Sequence, residues 1–133
     1  MSASALQQAA FERLSADAGL KALVGQNRIH DRLVEKAALP HVLFAAMDSR
    51  DWSTSTESGE EHTLRLEVWS DDNGKRQMQS IVAAIKLALH DQPLALEGHR
   101  LVNLRLLSSA LKREPKTRRH QANLTFRAVT EPL

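Results

Sequence analysis

The spacing of apolar residues predicts a helix near the start of the chain. Over residues 4–16, the side chains of Leu6, Ala10 and Leu14 recur every fourth residue and therefore share one face of a helix. Ser4 is a residue type that caps helix N-termini, and it is the predicted N-cap here. The pattern therefore indicates an amphipathic helix that buries one side.

A second main helix is predicted over Lys75–His90, and a short helical turn over residues 18–24. Asp17 is expected to cap the short turn and Gly25 to end it, because a glycine accepts the left-handed conformation that often follows a helix. The long helix carries one continuous apolar stripe, formed by Met78, Ile81, Val82, Ile85, Ala88 and Leu89.

Alternating and continuous apolar runs predict the strands. Apolar and polar residues alternate over Glu61–Trp69, His99–Leu107 and His120–Thr130, which is typical of half-buried strands. The apolar run His41–Met47 is predicted to be a buried strand, and Arg28–Leu33 a short one.

The connections complete a predicted α+β fold. Asp48–Gly59 is expected to be a loop, Ser70–Gly74 a turn, and the polar residues Lys112–Arg119 the link of an antiparallel hairpin. Because strands and helices do not alternate regularly, a doubly wound fold is excluded. We predict a single domain over residues 1–133, with two main helices packed on one face of a mainly antiparallel sheet of four to five strands.

Composition excludes several classes of function. The 133 residues include no cysteine, so disulfides, cysteine-based metal sites and thiol catalysis are excluded. No apolar run approaches the about 20 residues that a membrane-spanning helix needs. Phosphate-binding glycine motifs and nucleophile elbows are also missing from the sequence. We therefore predict no enzyme, with no catalytic residue, no cofactor and no metal.

One short motif resembles a fragment of a metal site. Glu60 and His62 would share a face of a strand, but two ligands do not make a site. We interpret both as surface residues beside a strand end, where polar side chains are common.

Charge is concentrated in two separated stretches, although the formal net charge is only +2. The acidic stretch, residues 48–61, contains Asp48, Asp51, Glu57, Glu60 and Glu61 beside one arginine, and also holds Trp52. The basic stretch, residues 112–120, contains Lys112, Arg113, Lys116, Arg118 and Arg119 beside one glutamate. The two stretches carry opposite excess charge and lie far apart in the sequence, so they are candidate complementary patches.

Several motifs in a fixed order resemble the family of phage tail completion proteins. They are Ala22–Gly25, Leu39–Val42, Glu61–Ser70, Leu96–Val102 and Ala122–Ala128, and together with the helix after Gly74 they extend the similarity from about Leu6 to Glu131. Each motif alone is common in proteins, whereas their order and spacing are specific.

The resemblance implies a tail terminator of a long, non-contractile tail, encoded by a phage, a prophage or a gene transfer agent. Such a protein is expected to form a hexameric ring on the tail-tube protein and to present a surface to the head-side connector. A closed ring joins two different patches of each subunit, so the residues of the acidic and basic stretches are then the candidate subunit interface. It implies no enzymatic activity. The expected location is the bacterial host cytoplasm during assembly and then the particle, with DNA only as passing cargo and no membrane contact.

Two other functions stay open from the residues. The protein could instead be a head–tail connector component, a stopper or an adaptor, which would bind rings on the portal side. A small nucleic-acid-binding module using the basic stretch is the other alternative, although no aromatic residue for base stacking is interleaved there.

Overall fold

The described residues, 2–71 and 75–133 of the computed structural model, form three helices and one six-stranded sheet. The helices are α1 (Ser2–Ala16), α2 (Ala18–Val24) and α3 (Lys75–Leu89). The strands are β1 (Ile29–His30), β2 (His41–Asp51), β3 (Glu60–Ser70), β4 (Ala95–Leu96), β5 (His99–Arg113) and β6 (His120–Pro132).

The sheet has the order β1-β2-β3-β6-β5-β4. β1 runs parallel to β2, and every other neighbouring pair is antiparallel. The α+β class and the mainly antiparallel sheet are therefore confirmed. The number of strands is corrected, since the described residues form six strands where four to five are predicted. Their three helices correspond to the two predicted main helices and the predicted short turn at residues 18–24.

A single apolar core joins the helices to one face of the sheet. The stripe of α3 is buried as predicted, with Ile81, Ile85 and Leu89 fully shielded from solvent. On the sheet the buried positions alternate along the central strands, as the period of two requires, and include Leu64, Leu66, Val68, Leu124 and Phe126.

The beginning of α1 differs from the prediction, whereas α2 agrees with it. Ser4 lies inside α1 and does not cap it, because the helix already begins at Ser2. Asp17 does cap α2, since its Oδ2 accepts a hydrogen bond from the backbone N–H of Leu20 at 2.8 Å. Gly25 ends α2 with φ of 95°, a conformation that glycine adopts without strain.

Two strands are longer than their apolar patterns predict. β2 continues to Asp51 and β5 to Arg113, through polar residues that read as loop or connection. Each extension is held by backbone hydrogen bonding to a neighbouring strand, β3 for β2 and β6 for β5. A backbone ladder does not depend on side-chain polarity, so hydropathy underestimated both lengths.

Only one of the two shortest strands was predicted. β1 contains only Ile29 and His30 of the predicted 28–33, and the two-residue β4 was not predicted. Both are too short to produce an alternating pattern. The predicted turn Ser70–Gly74 falls partly on residues 72–74, which lie outside the described residues.

Candidate subunit interface

The acidic and basic stretches lie at opposite ends of the sheet. β3 and β6 are antiparallel neighbours in which Glu60 pairs with Thr130 and Ser70 pairs with His120. The tip of the β2–β3 hairpin, residues 52–59, therefore extends from one end, and the tip of the β5–β6 hairpin, residues 114–119, from the other. At about 3.3 Å per residue, a strand of the length of β3 separates them by roughly 33 Å.

Part of the acidic stretch is neutralised within the chain. The carboxylate of Glu61 accepts hydrogen bonds from Nε of Arg50 at 2.5 Å and from Nε of Arg127 at 2.6 Å. These two guanidinium groups lower the pKa of Glu61, with the hydrogen bond from Arg50 as the larger cause. Glu61 thus joins β2, β3 and β6, and it is engaged inside the subunit.

Trp52 is also used inside the chain. The guanidinium carbon of Arg127 lies 5.2 Å from the centre of the indole ring, within the range of a cation–π contact. About half of the Trp52 side chain remains exposed. Trp52 therefore contacts the guanidinium of Arg127 with one face, and its exposed part remains accessible to a partner.

The other acidic candidates differ in how much they can offer a partner. Glu60 accepts a short hydrogen bond from the hydroxyl of Ser2. Asp51 accepts hydrogen bonds from the backbone and hydroxyl of Ser53, which lower its pKa. Asp48 and Glu57 are exposed. The structure therefore leaves Asp48 and Glu57 as the acidic side chains best placed to meet another molecule.

The basic stretch is exposed over most of its length. The β5–β6 tip is shaped by two backbone hydrogen bonds, from Glu114 N–H to the carbonyl of Arg119 and from Arg118 N–H to the carbonyl of Glu114. Lys112, Lys116, Arg118 and Arg119 form no salt bridge with any described residue. Lys112 and Arg113 lie on β5 itself, so the cationic surface continues from the tip along the strand.

His62 is buried, so its interpretation as a surface residue is wrong. Its Nδ1 lies 2.6 Å from the hydroxyl of Ser49, and its Nε2 lies 3.1 Å from Ser2 Oγ and 3.0 Å from Thr130 Oγ1. Thr130 also donates to Ser2 at 3.0 Å. The cluster fixes the beginning of α1 to β2, β3 and β6. A sequence signal for this burial existed, because His62 shares the alternating core face of β3 with Leu64.

Acid is expected to destabilise the protein through His62. Burial lowers the pKa of this imidazole below its ordinary 6.5, because the charged form loses its hydration. The native state therefore binds a proton less readily than the unfolded state, and its stability falls as the pH drops through 6.5 toward the lower native pKa. Thermal unfolding between pH 8 and about 5 measures this loss.

His62→Gln is expected to have a shallower dependence of melting temperature on pH over that range. His41→Gln is expected to flatten the profile as well, because burial also lowers the pKa of His41, and the double variant is expected to be flatter than either single variant. An unchanged pH profile in His62→Gln would contradict the assignment.

The described residues include no group of three or more histidine, aspartate or glutamate side chains arranged to hold a metal ion. Within the same residues, no helix has the length and apolar character needed to cross a membrane.

Comparison with known proteins identifies the class and then the family. A chain in a solved structure of a native gene transfer agent virion has 33% sequence identity and a TM-score of 0.88, over 98% of this chain and 97% of that chain. A second solved structure, with 15% identity and a TM-score of 0.59 over 100% of this chain and 96% of that chain, shares the fold alone. No curated protein matches the sequence.

The match to the virion component and the family model together show a structural protein of a phage tail. The model of the family described as tail completion protein gp17 matches residues 8–131, and the chain belongs to this family. The resemblance found in the sequence is therefore confirmed.

Proposed function

We propose that the protein is a tail terminator that forms a hexameric ring on the last ring of tail-tube protein. The observation that best supports this role is the similarity, over nearly the whole chain, to a component of a gene transfer agent virion. In this proposal the ring stops tube growth and presents its other face to the head-side connector. The particle is a phage or a gene transfer agent, assembled in the bacterial host cytoplasm, and DNA passes as cargo.

The position of the charged surfaces supports a ring of contacting subunits. A closed ring uses two different patches on each subunit, and this chain exposes an acidic and a basic surface at opposite ends of one sheet. Neighbours aligned along the strands would bring the two surfaces together. Neighbours placed side by side would turn the surfaces toward the rings above and below. In both arrangements the contacts are made by exposed charges, with no reactive pocket.

The proposal is tested by electron microscopy of tail tubes assembled with and without the protein. We expect a ring with sixfold symmetry at one end of each tube, and tubes that no longer lengthen when fresh tube protein is added. Tubes mixed with an unrelated protein of similar size serve as the control. Binding to portal-side rings and not to tubes would favour the connector alternative and contradict the proposal.

The nucleic-acid alternative is tested with the free protein used in the assembly experiment. Binding of duplex DNA by the free protein at about 50 mM salt, falling steeply as salt rises, would favour it. We expect no such binding, because in this proposal the exposed cations of the β5–β6 tip contact protein.

A further inference from the structure

The last part of β5 is open to solvent along its outer edge. The segment that follows α3 covers this edge as far as Leu106, whose N–H donates to Nδ1 of His90. Beyond that point residues 107–113 are all exposed, whereas the residues of β6 that pair with this part of β5, 120–125, are buried or half-buried. Among the described residues, no strand lies on the outer side of 107–113.

A hydrogen bond at the β5–β6 tip shows which backbone groups of this edge point outward. Glu114 N–H donates to the carbonyl of Arg119, so the backbone of Glu114 faces β6. Successive residues of an antiparallel strand face opposite sides, so Lys112 also faces β6, while Ser109 and Leu111 direct their N–H and C=O groups outward. An edge with such groups can pair with a strand of another molecule.

The side chains along this edge differ between the two faces of the sheet. Leu111 pairs with the buried Ala122 and lies on the face that carries the helices, with 41% of its surface exposed. Lys112 is exposed on the opposite face and forms no salt bridge with any residue of 2–71 or 75–133. A strand added here would place one side chain beside Leu111 and the next beside Lys112. A segment in which apolar and acidic residues alternate would therefore fit.

Protection of the edge is the alternative explanation for its composition. Lysines and bulges keep open strands from pairing, and β5 has Lys112 and a bulge between Leu106 and Ser108. Protection does not explain the apolar side chains of Leu107 and Leu111, which are 59% and 41% exposed. Exposed apolar residues on an open edge favour pairing, so this edge suits a partner better than it excludes one.

We propose that residues 108–113 of β5 bind an extended segment of a neighbouring tail protein, in which apolar and acidic residues alternate. The segment adds an antiparallel strand beyond β5, which is the orientation of both strands that already pair with β5. Its apolar residues lie beside Leu111 and its acidic residues beside Lys112. A nucleic acid fits less well, because phosphate oxygens only accept hydrogen bonds and leave the outward carbonyls of Ser109 and Leu111 without donors.

Peptide binding to the full chain tests this pairing. The probe is a short synthetic peptide of alternating valine and glutamate, blocked at both ends and labelled for fluorescence anisotropy. We expect saturable binding, and no binding of the same peptide with lysine in place of glutamate, because lysines would face Lys112. Absence of binding by the glutamate peptide would overturn the inference. The measurement needs no assembled ring, so this failure would leave the proposed terminator function in place.

Methylation of the peptide backbone separates strand pairing from charge attraction. In an antiparallel pair the residue opposite Leu111 shares its face and directs its N–H toward β5, so this residue is a valine. Methylating the valine nitrogens removes these donors and is expected to weaken binding by about tenfold or more. Methylating the glutamate nitrogens, which point away, is the matched control and is expected to leave binding nearly unchanged. Equal binding of the two methylated peptides, or the reverse order, would overturn the antiparallel pairing.

A pair of charge reversals locates the contact on the protein. Lys112→Glu is expected to weaken binding of the glutamate peptide by about tenfold and to permit binding of the lysine peptide, because it places a like charge beside each glutamate. Lys116→Glu reverses an equally exposed lysine in the turn beyond β5, and a smaller change is expected there. A larger loss from Lys116→Glu than from Lys112→Glu would move the contact to the tip and overturn the inference.

Discussion

Phe126→Ala is expected to lower the free energy of unfolding by about 3–5 kcal/mol, the largest loss from a single side chain in this fold. The ring is completely buried on β6, the strand at the centre of the sheet, and it pairs across the backbone with Leu64 and Leu106. Truncation removes apolar contacts on both sides and leaves a cavity that the close-packed core cannot fill. Chemical denaturation of the purified protein measures the loss.

Leu107→Ala is the matched control for this substitution. Leu107 is a large apolar residue on β5 with 59% of its surface exposed, at a bulge in the pairing with β6. We expect a change within about 0.5 kcal/mol, since little apolar area is lost to water. A loss from Phe126→Ala as small as that from the control would mean that β6 is not the centre of the core.

Reversing the charge of the β5–β6 tip is expected to reduce strongly the joining of the proposed ring to its partner. The triple variant Lys116→Glu, Arg118→Glu and Arg119→Glu changes exposed side chains that form no salt bridge with described residues, so the melting temperature should change little. Like charges facing an acidic partner oppose association, and we expect a decrease of about tenfold or more in particles with joined tails. Electron microscopy of particles assembled with the variant gives this count.

The helix α3 provides a control with the same change in charge. Lys75, Arg76 and Lys86 are exposed on this helix, outside the β5–β6 tip, and their replacement by glutamate is expected to leave tail joining unchanged. An equal loss with both triple variants would show that net charge matters and that the tip has no specific role. Full joining with the tip variant would remove the basic stretch from the candidate interface.

The residues of the candidate interface differ in their availability for contact once the chain is folded. Counted along the chain, the acidic and basic stretches have equal and opposite excess charge. In the folded protein Glu61 is held by Arg50 and Arg127, so reversing Glu61 would damage the subunit as well as any contact it makes. Asp48, which reads as the beginning of a loop, lies on strand β2 with an exposed side chain and is the better residue for testing assembly.

The sequence by itself determined the elements with strong periodicity and the family of the protein. The apolar stripe of α3 and the alternation of β3 and β6 depend on which side chains are shielded from water. This preference is visible in the order of residues within each element. The cap of α2 by Asp17 is local for the same reason. The ordered motifs that resemble tail completion proteins are also a property of the chain alone.

Only the tertiary structure decided where these elements end and which residues meet. The extensions of β2 and β5 depend on backbone hydrogen bonds to the next strand of each hairpin, and such bonds do not change the hydropathy pattern of the chain. The cluster of Ser2, His62 and Thr130 joins residues up to 128 positions apart. The placement of opposite charges at the two ends of the sheet follows from strand order and register, which arise from packing between distant segments.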